Sequence, residues 1–117
     1  MKQLIIKIGA SMDKDLKELF RDPRKGTPNS HTVYLKTPYD LYKILSPKRI
    51  ELLKYLISHK SEKNSISAVS KELKRKQEAI SRDAKVLERH MFVEKIRKKK
   101  STYLKTNYKS LQIMLEN

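Results

Sequence analysis

The sequence predicts an α+β fold, and three observations carry that prediction. An isoleucine-rich run at the start, Lys2–Ile8, alternates its apolar side chains as a strand does. Several stretches between Met12 and Arg89 set apolar residues at helical spacing, and two of them open on a hydroxyl residue before proline. Near the end, two β-prone runs flank a lysine triplet, which is the pattern of a hairpin.

In "KQLIIKI" Leu4, Ile6 and Ile8 share one side of a strand that Gly9 closes. "SMDKDLKELFRD" opens on Ser11 as N-cap and places Met12, Leu16, Leu19 and Phe20 on one face of a helix. Asp22–His31, with Pro23, Gly26 and Pro28, reads as a loop, and "TVYLK" as a second short strand. Thr37-Pro38 begins a short helix, "PYDLYKIL". Ser46-Pro47 begins a longer one, "PKRIELLKYLISHK", with Ile50, Leu53, Leu56 and Ile57 expected inward.

"NSISAVSKEL" gives a brief helix that buries Ile66, Val69 and Leu73. Lys74-Arg75-Lys76 is then too polar for core and short enough for a tight turn. From Gln77 to Arg89, Ile80, Ala84 and Leu87 form a helical stripe that Ala79 and Val86 widen. "FVEKIR" and "STYLKT" pair as a hairpin tipped by Lys98–Lys100. The tail "SLQIMLEN" reads as strand or helix; a strand paired with an N-terminal strand is the preferred reading.

The chain of 117 residues fits one compact domain. An apolar share of 38% supports only a small core, so a second copy would add burial that the chain's size makes scarce. Cysteine is absent, which excludes disulfides and thiolate metal sites. The apolar run "LIIKI" is too short and too lysine-flanked for a signal peptide or a spanning helix, so a soluble cytoplasmic protein with no membrane partner is expected. His31, His59 and His90 are far apart, no Gly-rich phosphate loop occurs, and acidic residues are scattered. An enzyme, a metal and a cofactor are therefore not expected.

The formal net charge of +15 points to nucleic acid as the first partner. Its placement sharpens the point. Lys71–Lys105 holds thirteen Lys/Arg against five Asp/Glu, a net +8, whereas the first seventy residues carry only +7 over twice the length. Three helices from Ser46 onward, followed by a hairpin, follow the order of a winged helix-turn-helix. In that fold the third helix lies in the major groove and the hairpin, the wing, reaches the flanking backbone or minor groove. The expected organisation is a winged helix-turn-helix at 46–107, preceded by a β-α-β extension and short helix at 1–45 that could dimerise. A strand or tail follows at 108–117.

The recognition helix would run over about 76–89. With its apolar stripe inward, its free face offers Gln77, Glu78, Ser81, Arg82 and Lys85. Gln can read adenine edges and Arg can clamp guanine, while Ser and Lys reach phosphates. Lys76 in the turn joins them. Glu78 would repel phosphate unless it accepts from a cytosine amine or pairs with Arg82 one turn on. Arg75 could contact phosphate or form an ion pair with Asp83, and both readings stand. Arg97, Lys98, Lys99 and Lys100 in the wing, 97–101, repel one another in the free protein and release counterions on a phosphate backbone. Of the six tyrosines, Tyr103 is the one to test for backbone contact; the others suit partial core burial.

The stretches "ILSPKRIELLKYL" and "SISAVSKELKRKQEAISRDAKVLERHMFVEK" resemble prokaryotic, largely archaeal, MarR-like winged-helix regulators, a group that includes antitoxin-type helix-turn-helix proteins. The shared pattern is Leu45, Ser46, Pro47, Lys48 and Arg49 at the first helix, then Arg75, Arg82 and Asp83 around the recognition helix. The chain differs in carrying Met91 where that group has glycine, His90 where it has an apolar residue, and a more basic wing. The expected function is a sequence-specific double-stranded DNA-binding transcriptional regulator, nucleoid-associated; small size and terminal segments that the winged domain does not need add the expectation of a homodimer on a near-palindromic site. Two other readings stay open: a sequence-tolerant chromatin or RNA-binding protein, and an antitoxin-like module whose partner is a toxin protein.

Overall fold

A computed structural model describes residues 2–9, 12–21, 30–60 and 63–115, the Asp15 side chain excepted. The expected Ser11 cap and residues 22–29 of the expected loop lie outside the described residues. The elements run β1 (Lys2–Ile8), α1 (Met12–Arg21), β2 (Ser30–Leu35), α2 (Pro38–Ile44), α3 (Pro47–Ser58), α4 (Ile66–Leu73), α5 (Gln77–Arg89), β3 (Glu94–Lys98), β4 (Ser101–Lys105) and β5 (Tyr108–Leu115). The architecture is α+β. Two compact units divide it: Met1–Lys43 with Tyr108–Asn117, and Ile44–Asn107. The tail thus belongs with the N-terminal segment and is not a separate piece.

The first unit is built on a three-stranded parallel sheet in the order β2-β1-β5. The tail forms a strand alongside β1, with Leu4 opposite Leu111 and Ile6 opposite Ile113. As the central strand, β1 buries Leu4, Ile6 and Ile8 on one face and Ile5 on the other, as parallel sheets do. The sequence pattern marked only the first face. Ser30 and His31, read as loop, belong to β2, where His31 stacks on Tyr108. α2 starts on a reciprocal cap: the Thr37 hydroxyl accepts the Asp40 N–H, and the Asp40 carboxylate accepts the Thr37 N–H.

The second unit holds α3, α4 and α5 with the antiparallel hairpin β3-β4. The two serine caps are explicit. Ser46 Oγ accepts the Arg49 N–H at 3.3 Å, and Ser65 Oγ accepts the Ala68 N–H at 3.1 Å. α3 and α4 both pack on α5, while β4 lies against α4 and β3 against α5. Leu45, Leu52, Leu53, Leu56, Val69, Ile80, Ala84, Leu87, Phe92, Val93 and Leu104 fill the core. One expectation fails here. Ile50 is 42% exposed and Ile57 half-buried, whereas Leu52 is fully buried. Apolar residues at 50, 52, 53, 56 and 57 allow two rotations of the helix, and packing on α5 selects the 52–53–56 face. Ile66 and Leu73, at the two ends of α4, are also only half-buried, so Val69 alone of the three expected there is core.

The link between α3 and α4 is tied to the hairpin. Asn64 Nδ2 donates to the His59 carbonyl at 2.6 Å, the Leu104 N–H donates to the Asn64 carbonyl at 2.8 Å, and Ser65 bridges Tyr103 antiparallel. A single bridge position therefore flanks β4, and the hairpin sheet itself has two strands. At the far end, α5 closes through Met91 in the left-handed region (φ 64°). The Met91 N–H donates to Glu88 and the Phe92 N–H to Leu87, both at 2.9 Å, with Leu87 and Phe92 both buried. This is a Schellman ending completed without glycine.

Candidate nucleic-acid interface

α5 is positioned by its buried stripe and by one charged anchor. Ile80, Ala84 and Leu87 face the core, and Asp83, on the same side, accepts from two guanidiniums. Arg75 in the α4–α5 turn reaches its Oδ2 at 2.5 Å, and Arg49 on α3 reaches its Oδ1 at 3.2 Å. All three side chains are largely buried. Arg75 is thereby turned inward, and of its two readings the ion pair with Asp83 is the one the geometry forms. The turn itself is made by Lys74 in the left-handed region (φ 54°), with the Lys74 N–H on Lys71 and the Arg75 N–H on Ser70.

With Asp83 inward, the opposite face of α5 opens onto a cleft of about 650 Å³. Gln77, Glu78, Ser81, Arg82 and Lys85 line it from the helix, and Lys100, Ser101 and Thr102 from the hairpin tip. Ser65, Ile66 and Ser67 at the start of α4 complete it. Of the residues expected to bind, the cleft gathers Gln77, Ser81, Arg82, Lys85 and Lys100. Lys76, Arg97, Lys98 and Lys99 are exposed but do not line it. Lys76 is the residue before α5, and among the described residues no side chain caps the helix, so its positive end can take an outside acceptor. Among the described residues neither Glu78 nor Arg82 forms an ion pair, so the anticipated Glu78–Arg82 pairing is not made.

Sequence reasoning missed Ser65, Ser67, Ser101 and Thr102. Ser65 carried a signal, since it reads as the cap of α4. The hairpin pair is brought in by the Ser65–Tyr103 bridge, the Leu104–Asn64 hydrogen bond and the packing of β4 on α4, none of which local sequence announces.

The hairpin tip is a two-residue turn, Lys99-Lys100, between Lys98 and Ser101. Lys99 has φ 55° and Lys100 does not share its positive sign, the pattern of turns that favour glycine at the first position. A cation thus occupies a position where glycine would be less strained.

Among the described residues no group of three or more His, Cys, Asp or Glu could hold a metal ion, and no helix is long and apolar enough to cross a membrane. No curated protein matches the chain. The profile of the HVO_A0114 family matches residues 44–113, more than half of the sequence, and the protein belongs to the HVO_A0114 family.

Proposed function

We propose that the second unit is a winged helix-turn-helix that binds double-stranded DNA, with α5 as recognition helix and β3-β4 as wing, in a transcriptional regulator of MarR-like type. One observation carries this reading. Gln77, Ser81, Arg82 and Lys85 share a cleft with Lys100 of the hairpin tip, and no aromatic or apolar cluster fills it. A polar, cationic concavity of that kind suits a phosphate-lined partner better than an apolar ligand. The uncapped start of α5 adds partial positive charge on the same side. A single antiparallel bridge from Ser65 to Tyr103, on the edge of the hairpin where a winged-helix sheet has its short extra strand, supports the reading.

In this account Gln77 and Arg82 reach base edges. Ser81, Lys85 and Lys100 hold phosphates, and Lys76, Arg97, Lys98 and Lys99 add affinity from outside the cleft. Arg75 and Asp83 set the helix and touch no nucleic acid.

Selection from a random duplex library at near-physiological salt tests the proposal. A regulator enriches one motif and keeps a large preference for it over random duplex. Enrichment of nothing, with tight binding to every duplex, would instead favour a sequence-tolerant binder. The three lysines at the wing tip lend that second reading its support, because they attract phosphate without the bidentate fork of arginine.

A further inference from the structure

α1 presents a complete apolar stripe that the described structure leaves uncovered. Met12, Leu16, Leu19 and Phe20 are 55%, 46%, 37% and 87% exposed, and every described side chain of the helix is exposed. A helix between two parallel strands ordinarily buries such a stripe. A patch of this kind on a water-facing helix marks a docking surface.

The charges on the helix say what docks there. The chain as a whole carries +15, yet α1 holds Asp13, Asp15 and Glu18 against Lys14, Lys17 and Arg21 and is neutral. An acidic protein would find no field on it. A membrane-surface helix would be rich in cations on its polar face, which this one is not. The charges are also polarised. Asp13, Lys14 and Asp15 give the first half a net −1, and Lys17, Glu18 and Arg21 give the second half a net +1. Two copies lying antiparallel set each negative half beside a positive half, and their helix dipoles oppose.

We infer that α1 is the contact through which two copies of this chain associate, antiparallel about a two-fold axis near Leu16. Leu16 then meets Leu16, and Met12 of one copy meets Phe20 of the other. Such an interface is isologous, as closed dimers require. Ten residues span only about 15 Å, so the buried area is at the small end for specific association and the dimer is weak. The inference needs no nucleic acid and stands or falls apart from the DNA reading.

The test is sedimentation equilibrium of the full chain up to roughly 0.1 mM without DNA. A reversible dimer is expected, strengthening as salt rises because the mutual repulsion of two +15 chains is screened. Leu16→Glu and Phe20→Glu should each shift the chain to monomer with an unchanged circular dichroism spectrum, since neither side chain is buried. The chain has no native cysteine, so single-cysteine variants report geometry directly. Leu16→Cys should cross-link to itself on oxidation, and Met12→Cys mixed with Phe20→Cys should give the mixed disulfide. A monomer throughout the range, a dimer indifferent to both Glu variants, or self-links at positions 12 and 20 without the mixed product would overturn the inference.

Discussion

Asp83 holds Arg75 through a 2.5 Å contact and so fixes the turn that precedes α5. Arg49 completes the cluster from α3 at 3.2 Å, and Nη1 of Arg75 is buried with no acceptor among the described residues. A buried pair of this sort contributes modestly when intact, because desolvation offsets attraction. Removing one member leaves a buried charge uncompensated. Asp83→Ala is therefore expected to destabilise the protein by about 3–5 kcal/mol. Urea denaturation checks it, and Arg49→Ala, which leaves Arg75 paired, should do less harm.

Arg82 lies on the free face one residue before that anchor. Arg82→Ala should cost about 1–3 kcal/mol on the preferred duplex and relax discrimination at one base-pair position, with little change in stability. Competition binding against single-base variants of the selected site would reveal it. Unchanged site preference would mean that another face of the helix meets the groove.

The wing should behave differently. Replacing Lys98, Lys99 and Lys100 with Ala should weaken binding to all duplexes alike. It should also lower the slope of log affinity against log salt by about 0.9 for each lysine that neutralises a phosphate. Fluorescence anisotropy across a salt series measures both effects.

Two left-handed residues should respond alike in stability and differently in binding to one kind of substitution. Lys99→Gly and Met91→Gly each remove a side chain from a conformation glycine adopts freely, so each should stabilise by about 1 kcal/mol. Only Lys99→Gly should also weaken DNA binding. Thermal denaturation and anisotropy on the same samples separate the two.

His90, packed near the Phe92 ring at the end of α5, titrates below the ordinary imidazole value. Burial is the main cause and the Arg89 charge the second. The unfolded chain then takes up this proton more readily than the folded one. The contribution is fully present above the unfolded value and is lost as pH falls toward the folded value. The denaturation midpoint should decline as pH falls from neutral through the ordinary imidazole range, and His90→Gln should flatten that decline.

How much of this was legible beforehand depends on the element. The Ser46-Pro47 cap announced α3, and the stripe of Ile80, Ala84 and Leu87 set the rotation of α5, so the free face could be named from spacing alone. Spacing failed where it was ambiguous. Leu52 and Ile50 exchange roles because a broad apolar band can seat two ways and only packing decides. Arg75 could not be assigned, since an arginine in a turn reads the same whether it faces phosphate or a carboxylate eight residues on. Met91 stood out as a departure from glycine, yet the ending closes in the left-handed form regardless. Buried Leu87 and Phe92 clamp it on both sides. The share of the cleft supplied by Ser101 and Thr102 rests on a pairing between residues 65 and 103, separated too far in sequence for any local pattern to reveal.

The most direct test of the central claim is the map of backbone amide shifts when a selected duplex is titrated into isotopically labelled protein. The account predicts that the largest changes fall on Gln77, Glu78, Ser81 and Arg82 and on Lys99 and Lys100 of the hairpin, with α1 and the parallel sheet unmoved. Changes centred on α1 or on the outer face of α3, with those six amides still, would contradict it.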